Sequence, residues 1–311
     1  MKSGYLQAGP EAAAKVDPNT PKLLIYNPLA GSRIQLPELA RICRKFGRLG
    51  WGVIPHPTYG PDTAAQIVRE FYGLVDGVVV LGGDGTVNEV LPALVETELF
   101  LAVLPGGTAN VLANELALPK KIDRAIARLV GGEVRRVTVG QAGERLFIAM
   151  SGIGFDGQVV AGLSSTLKRR LGKAAFVWES VRQLGKKPLP RLRFSDGREE
   201  WTGSFGVVSN CRLYGGRFVM APQASLEDPR LDLCLFQSPR KGRFLSYFLR
   251  LARQSHLSCP DVVYRKLEHV EISSETDVPY QLDGEIGGRL PLTIRSRPGA
   301  LRLLFPRPED R

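Results

Sequence analysis

Two glycine-rich segments in the first half of the chain have the composition of phosphate-binding loops. They are Leu81-Gly82-Gly83-Asp84-Gly85-Thr86 and Leu104-Pro105-Gly106-Gly107-Thr108-Ala109-Asn110, and each joins an apolar run to a helical pattern. Glycines let backbone N–H groups approach a ligand closely, and a helix start adds unpaired N–H groups and partial positive charge. Asp84-Gly85 alone is also typical of a hairpin turn, but the strand-then-helix flanks favour a phosphate site.

Three carboxylates accompany these loops as candidates for the chemistry. Asp84 is suited to hold a phosphate-bound Mg²⁺. Asp283 and Glu285 are separated by one glycine, so in a strand both would face one side and could serve a hydroxyl acceptor. The Asp283-Gly284 pair is also typical of a polar hairpin turn. The sequence has no P-loop, no dinucleotide fingerprint at its first strand–helix turn and no protein-kinase signature, so backbone amides and small polar groups must hold any nucleotide.

The elements that must position these residues change character near residue 138. Before it, strand-like runs alternate with helical patterns. The strand-like runs are Lys22–Tyr26, Gly77–Leu81 and Phe100–Leu104, and the helical patterns are Pro37–Leu49, Asp62–Tyr72, Thr86–Glu96 and Thr108–Leu116. This alternation predicts an α/β domain with a parallel sheet, in which ligands bind at the carboxyl ends of the strands.

The second part of the chain has the pattern of closely spaced strands. These runs are Arg145–Ser151, Leu192–Ser195, Phe205–Ser209, Leu231–Phe236, His269–Ser273, Leu290–Arg295 and Ala300–Phe305, with helical patterns at about Gly172–Leu184 and Gly242–Arg253. They predict a mainly antiparallel β-sandwich. We therefore expect a loose leader over 1–20, an α/β domain over 21–138 to which 296–307 returns, and a β-rich domain over 139–295.

The motifs, taken in this order, resemble the catalytic domain of the diacylglycerol kinase family, which includes soluble bacterial lipid kinases, sphingosine kinases and ceramide kinases. The resemblance extends from about Lys22 to Pro306. It is carried by Gly82–Thr86 with Asn88-Glu89, Pro105–Asn110, Asn27–Gly31, Gly152–Asp156, Tyr214–Gly216 with Ala221-Pro222, and Leu282–Glu285. The Gly-Gly-Asp-Gly-Thr core is shared with NAD kinases, whereas its combination with Leu-Asp-Gly-Glu is specific to the lipid-kinase branch.

The resemblance implies an NAD-kinase-like, three-layer α/β nucleotide domain, a β-sandwich lipid-substrate domain and an active site in the cleft between them. ATP and Mg²⁺ would be the cofactors. The implied nucleotide-binding residues are Asn27, Thr58, Gly82, Gly83, Asp84, Gly85, Thr86, Asn88, Glu89, Gly107, Thr108 and Asn110. Asp283 and Glu285 would be the catalytic acidic pair, with Glu285 accepting the proton of the lipid hydroxyl.

A second metal site is also implied. Asp228 matches a position whose carboxylate holds a structural Mg²⁺ together with the carbonyl groups of Ser225 and Arg230. Two departures from the family pattern concern metals. Val111 stands where many relatives carry an aspartate that supports the catalytic metal network, and Pro229 stands where relatives usually have glycine.

The charge of the chain indicates an anionic partner. The formal net charge is +11, and residues 141–311 hold 27 basic and 18 acidic residues. A basic stretch over 168–193 contains Lys168, Arg169, Arg170, Lys173, Arg182, Lys186, Lys187, Arg191 and Arg193 against the single acid Glu179. Such a stretch suits nucleic acid or an acidic membrane surface, although a solvated basic face is equally compatible. No nucleic-acid-binding motif accompanies it, so we expect anionic phospholipid headgroups and no nucleic acid.

The pattern around Arg240–Arg250 offers a second candidate for a membrane contact. Phe244, Phe248 and Leu251 follow a helical spacing, and such a stripe either seats in a lipid interface or packs on the core. No apolar run reaches the roughly 18 residues that span a bilayer, and the N-terminus lacks a secretory pattern. The four cysteines are isolated in the sequence, as in reduced cytosolic proteins. We therefore expect a cytoplasmic protein that associates peripherally with the inner face of the membrane.

The expected function is an ATP-dependent lipid kinase that phosphorylates a lipid hydroxyl, foremost diacylglycerol, to give phosphatidic acid. Two alternatives remain. One is an NAD kinase with a soluble acceptor. The other is a non-catalytic nucleotide-binding module at the membrane surface, which stays open because Val111 stands where many relatives carry the aspartate of the metal network. Phosphatidylglycerol, a monoacylglycerol and a sphingoid base also remain open as acceptors. The oligomeric state stays open as well, a homodimer included.

Overall fold

The computed structural model describes residues 14–28, 35–60, 63–162, 179, 182 and 189–308. Most of the predicted leader, of the helical pattern at Gly172–Leu184 and of the basic stretch over 168–193 lies outside the described residues.

The first part of the chain forms the predicted alternation of strands and helices. Its elements are β1 (Lys22–Tyr26), α1 (Leu36–Arg48), β2 (Val53–Pro57), α2 (Thr63–Glu70), β3 (Gly77–Gly82), α3 (Asp84–Leu94), β4 (Phe100–Pro105), α4 (Val111–Glu115), α5 (Ile122–Val130) and β5 (Glu133–Ala142). Helix α1 shows why the pattern succeeds, because Leu39, Ile42 and Phe46 recur at helical spacing and are all buried.

The second part consists mainly of strands. Its elements are β6 (Arg145–Phe147), β7 (Met150–Gly154), α6 (Phe155–Gly162), β8 (Leu192–Ser195), β9 (Glu200–Gly203), β10 (Phe205–Ser209), β11 (Leu213–Tyr214), β12 (Phe218–Val219), β13 (Leu231–Phe236), α7 (Lys241–Ala252), β14 (Val262–Leu267), β15 (His269–Ser274), β16 (Pro279–Leu282), β17 (Glu285–Arg289) and β18 (Leu292–Phe305).

Two large sheets organise these strands. The first has the order β2-β1-β3-β4-β18-β15-β8-β9, with β5 and β6 alongside, and its strands β1 to β4 are parallel. The second has the order β14-β13-β10-β7-β16-β17 and is antiparallel throughout. The predicted fold class, a parallel α/β part followed by an antiparallel β-sandwich, is confirmed.

The sandwich core forms where the two sheets pack face to face. Phe194 and Ile294 of the first sheet share one buried cluster with Ile153, Leu233 and Leu282 of the second sheet. Strands β16 and β7 pair with each other in the second sheet, and both lead to the site described below.

Several elements differ from the sequence prediction, which did not include β5, β9, β11, β12, β14, β16, β17, α5 or α6. The run Arg145–Ser151 is divided into β6 and β7, and the two C-terminal runs form one long strand, β18, with a register shift between Arg297 and Leu301. Strand β2 was not predicted because it contains two prolines, which remove ladder donors. Its place at the edge of the sheet tolerates them.

Candidate active site

Two glycine loops meet at the carboxyl edge of the parallel strands. β3 ends at Gly82 and β4 at Pro105, and the N–H of Gly106 donates a hydrogen bond of 2.9 Å to the carbonyl of Gly82. A Cβ at Gly107 would lie 2.4 Å from the Cα of Gly83, so no larger residue fits there. Because α3 begins directly after Gly83, its first N–H groups open at the same edge. These backbone groups, from Gly82 and Gly83 where β3 ends, Gly106 and Gly107 after β4 and the start of α3, are called the glycine cradle below.

Asp84 joins the two loops to each other. Its Oδ1 accepts a hydrogen bond of 2.7 Å from the N–H of Val111, the first residue of α4. Burial raises the pKa of Asp84, while the N–H groups of α4 oppose that rise. The carboxylate therefore caps a helix start across the cradle. Its predicted role as a Mg²⁺ ligand stays a prediction.

Two asparagines of the predicted nucleotide site have different surroundings. Asn110 adopts a left-handed backbone, and its side chain closes the loop through hydrogen bonds of 2.7 and 2.8 Å with the N–H and carbonyl of Gly107. Asn88 lies one turn after Asp84 on α3, and within the described structure both polar atoms of its amide are buried without a hydrogen-bond partner. Buried polar groups normally have partners, so a polar ligand fits this site.

The remaining predicted nucleotide residues follow the same edge of the sheet. Asn27 and Thr58 come directly after β1 and β2, Thr86 and Glu89 lie on the first turns of α3, and Thr108 is exposed on the second glycine loop. Thr58 is buried, and its N–H donates a hydrogen bond of 2.9 Å to the carbonyl of Tyr26. The structure thus brings the predicted nucleotide residues to one side of the first sheet.

The expectation that Asp283 and Glu285 share one face of a strand is wrong. Asp283 and Gly284 form the two-residue turn between β16 and β17, and both have positive φ angles, 48° and 86°. Asp-Gly is favoured in such turns because both residues tolerate this backbone. The hairpin interpretation of this dipeptide is therefore the correct one for its backbone.

The Asp283 carboxylate is buried and engaged. Its Oδ2 accepts the N–H of Ile148 at 2.9 Å, and its Oδ1 accepts the N–H groups of Ala149 and Met150 at 2.9 and 2.7 Å. Burial raises the pKa of Asp283 to about 7, and the nearby charge of Asp84 adds to that rise, while these N–H groups oppose it. Through these hydrogen bonds Asp283 attaches the hairpin to the segment that joins β6 to β7.

Glu285 occupies the contact between the two halves of the chain. It is exposed at the start of β17, and its Oε1 would lie 2.5 Å from a Cβ built on Gly85. An acidic side chain from the sandwich therefore reaches the first turn of α3, beside the glycine cradle. The arrangement puts a carboxylate beside a group of backbone N–H donors, and phosphoryl transfer needs both a phosphate-binding surface and a positioned carboxylate.

Comparison with known families agrees with this geometry. Residues 21–142 match the family model described as the diacylglycerol kinase catalytic domain, and residues 149–305 match the YegS C-terminal NAD kinase beta sandwich-like domain. The chain belongs to the diacylglycerol kinase family. As a member of this family it is a lipid kinase, a phosphotransferase that acts on an alcohol group.

Curated relatives and solved structures cover most of this kinase. It is similar to a diacylglycerol kinase of Bacillus subtilis (strain 168), with 29% identity over 283 residues, 86% of this chain and 90% of the relative. A diacylglycerol kinase of Staphylococcus carnosus (strain TM300) is 29% identical over 279 residues, with 86% and 89% covered. A diacylglycerol kinase crystal structure from Bacillus anthracis aligns with a TM-score of 0.76 at 23% identity over 92% of this chain and 97% of that chain. At this identity the structural likeness shows the shared fold.

Asp228, the carboxylate of the predicted structural Mg²⁺ site of this kinase, pairs with a lysine. The Nζ of Lys266 lies 2.8 Å from Oδ2 of Asp228 and 3.1 Å from Oδ2 of Asp232. The other oxygen of Asp228 accepts the N–H of Arg230 at 3.0 Å, and the carbonyl of Ser225 accepts the N–H of Asp228 at 3.0 Å. Asp228 is therefore paired with an ammonium group in this structure, and the predicted Mg²⁺ site at Asp228, Ser225 and Arg230 stays a prediction. Sequence reasoning missed Lys266 because it lies 38 residues away.

Two features are absent from the described part of the kinase. Within it, no three or more His, Cys, Asp and Glu side chains form a cluster that could hold a metal ion. Nor is any helix of the described residues long and apolar enough to cross a membrane.

Helix α7 divides its apolar residues between core and solvent. Phe244 and Leu251 are buried, 1% and 4% exposed, so of the two interpretations of this stripe, packing on the core is the correct one for these two residues. Phe248 is 39% exposed, and Leu245 and Leu249 beside it are 64% and 50% exposed. The pattern placed the helix correctly but could not tell which of its faces meets the core.

Proposed function

We propose that this kinase transfers the γ-phosphoryl group of ATP to the hydroxyl of a glycerolipid, with diacylglycerol as the acceptor and phosphatidic acid as the product. The observation that carries the proposal is the contact of Glu285 with Gly85, which joins an acidic side chain to a backbone phosphate cradle. The diacylglycerol kinase names of the curated relatives support the choice of acceptor.

The residues of the cradle support ATP as the donor. The N–H groups around Gly83 and the start of α3 suit phosphate oxygens, and the unpartnered amide of Asn88 suits a polar group of the nucleotide. A bound Mg²⁺ would neutralise charge on the transferring phosphoryl group, with Asp84 and Glu285 as the carboxylates beside the cradle. Glu285 would accept the proton of the lipid hydroxyl as the oxygen attacks phosphorus.

The test is transfer of labelled phosphate from ATP into a panel of acceptors. Diacylglycerol, phosphatidylglycerol, a monoacylglycerol and a sphingoid base are presented in mixed micelles, and NAD⁺ is supplied in solution. The proposal predicts labelled phosphatidic acid from diacylglycerol in at least tenfold excess over the other products. Label that appears only in NADP⁺ would establish the NAD kinase alternative, and the absence of label from all products would support a non-catalytic nucleotide-binding module.

We further propose that the exposed face of α7 meets an anionic membrane from the water side. Leu245, Phe248 and Leu249 form its apolar stripe, and Arg250 and Arg253 border a groove of about 580 Å³ beside Leu245 and Leu249. The helix contains no acidic residue. Exposed apolar side chains next to basic groups are typical of helices that lie at a lipid interface. Such a contact would make the enzyme a peripheral protein of the cytoplasmic membrane face.

A further inference from the structure

A buried polar network lies beneath the hairpin that carries Glu285. The Nε2 of Gln281 donates a hydrogen bond of 2.8 Å to Oδ2 of Asp156, and the phenol of Tyr214 donates to the other oxygen of the same carboxylate. The Oε1 of Gln281 accepts a hydrogen bond of 2.7 Å from the N–H of Gly284. The network therefore runs without a break from Tyr214 to the turn next to Glu285.

Gly152 leaves room for this network because it has no side chain. A Cβ at Gly152 would lie 1.7 Å from Oδ2 of Asp156 and 2.6 Å from Nε2 of Gln281. Gly152 lies opposite Gln281 in the pairing of β7 with β16, so the two side chains fill the space above its Cα. Any other residue at 152 would separate the carboxylate from the amide.

The residues of this network belong to sequence motifs that form no part of the glycine cradle. Gly152 and Asp156 belong to one motif, Tyr214 opens a second, and Gln281 directly precedes the Leu-Asp-Gly-Glu segment. Asp156 and Gln281 are buried, and burial raises the pKa of Asp156. A buried polar network is costly unless it is fully bonded, and a fully bonded one fixes a single geometry.

The hairpin is also held on its other side. The carboxylate of Asp283 binds three backbone N–H groups, and the guanidinium of Arg145 donates a hydrogen bond of 2.6 Å to the carbonyl of Ile286. Glu285 thus lies between two restrained peptide units, one at Gly284 and one at Ile286. The Gln281 bond is the restraint at Gly284 that the buried network supplies.

We infer that Gln281 and Asp156 are positioning residues that hold the carboxylate of Glu285 beside Gly85, acting through the N–H of Gly284. The inference rests on the proposed function, because it assigns to Glu285 the acceptor side of phosphoryl transfer. A displacement of about 1 Å at a reacting group lowers a rate by about 10²-fold, so the loss of this restraint bears on turnover and not on nucleotide affinity.

The test combines Gln281→Met, which keeps the side-chain volume and removes both hydrogen bonds, with Glu285→Gln. Gln281→Met is expected to lower kcat about 10- to 100-fold and to leave the KM for ATP within about twofold. In the Glu285→Gln background the same change is expected to lower kcat by less than about twofold. A residue that acts through Glu285 loses its effect once that carboxylate is gone.

A matched pair of tyrosine variants separates positioning from general stability. Tyr214→Phe removes one phenol bond to Asp156. Tyr264→Phe removes a phenol bond of 2.6 Å to Asp232 elsewhere in the sandwich, and with it the acceptor of the Gln223 N–H at 3.2 Å. Tyr264→Phe is expected to lower the melting temperature at least as much as Tyr214→Phe, and only Tyr214→Phe is expected to lower kcat, by about three- to tenfold.

Amide hydrogen exchange provides a readout that does not depend on activity. The peptide containing Gly284 is expected to exchange at least tenfold faster in Gln281→Met and at the wild-type rate in Tyr264→Phe. Unchanged exchange, wild-type kcat in Gln281→Met, or a full kcat loss that persists in the Glu285→Gln background would each overturn the inference. If the wild-type enzyme phosphorylates no lipid, the proposed function fails, and the exchange experiment still decides whether Gln281 restrains the turn.

Discussion

The side chain of Glu285 connects the two halves of the molecule. It is exposed, it belongs to the sandwich, and its carboxylate lies against the backbone of Gly85 in the α/β part. Asp283, two residues earlier, has a different task, because its carboxylate is buried against three N–H groups. One acid of the predicted pair is therefore available to a substrate, and the other fixes the backbone.

Gly85→Ala is expected to lower turnover about tenfold or more without a large loss of stability. The new Cβ would lie 2.5 Å from Oε1 of Glu285, the far end of a flexible side chain that can swing aside. The carboxylate would then leave the cradle while the fold adjusts at low cost. Steady-state kinetics with ATP and diacylglycerol, together with thermal unfolding, measure both effects.

Gly47→Ala is the matched control for this change. Gly47 lies in α1, and a Cβ there meets nothing within 4 Å. It is expected to leave turnover unchanged and to stabilise the helix slightly. Wild-type turnover in Gly85→Ala would show that the position of the Glu285 carboxylate does not matter for catalysis.

Among the elements, the two glycine loops act as one unit. The loops after β3 and β4 touch through Gly83 and Gly107, and Asp84 adds a side-chain bond between them. The hairpin of β16 and β17 approaches this unit from the sandwich and brings Glu285 with it.

Gly107→Ala is expected to damage this unit in a way that Gly85→Ala does not. The new Cβ would lie 2.4 Å from the Cα of Gly83, and backbone cannot move aside as a side-chain end can. We expect a loss of about 1–3 kcal/mol in the free energy of unfolding and weaker ATP binding. Urea unfolding and titration calorimetry with ATP test this, and unchanged ATP affinity would argue against a cradle at these loops.

The buried carboxyl group of Asp283 in the hairpin is expected to make the free energy of unfolding depend on pH. Burial raises the pKa of Asp283 to about 7, far above its ordinary value of 3.8, so between these values the folded state keeps a proton that the unfolded state releases. The free energy of unfolding must then fall as pH rises from about 4 to 7, by up to about 1.4 kcal/mol per pH unit for this group.

Asp283→Asn removes the titrating group and isolates its contribution. The raised pKa values of Asp84 and Asp156 contribute with the same sign and remain in the variant. Urea midpoints measured between pH 4.5 and 7 are expected to fall less steeply in Asp283→Asn than in wild type. Equal slopes in the two proteins would contradict a proton on Asp283.

For the whole molecule, the uneven charge suggests how the enzyme finds its substrate. The double change Arg250→Glu at the end of α7 with Arg253→Glu directly after the helix is expected to weaken binding to vesicles of anionic lipid about 10- to 30-fold at low salt. Salt should reduce the difference, because screening shortens the reach of these charges. Arg44→Glu with Arg48→Glu on α1 alters the net charge equally and is expected to have a smaller effect. Equal losses for the two pairs would refute a specific contact through α7.

The sequence allowed the fold class, the glycine loops and the family to be predicted, because periodicity and short motifs are local signals. The pattern of Leu39, Ile42 and Phe46 is enough to place α1, and the buried run of β3 is enough to place a central strand. The Asp283-Gly284 dipeptide offered both a hairpin turn and a shared strand face for Asp283 and Glu285, and the dipeptide alone could not decide between them. The cation at Asp228 was missed because Lys266 reaches it only through the pairing of β13 with β14.

The most direct test of the account is phosphate transfer by Glu285→Gln. The variant keeps the shape of the side chain and removes the proton acceptor, so labelled transfer from ATP to diacylglycerol should fall about 10²- to 10⁴-fold. ATP affinity, measured on the same preparations, should remain within about twofold of the wild-type value. Turnover within about threefold of wild type would contradict the central claim that an acid of the sandwich serves the acceptor at the glycine cradle.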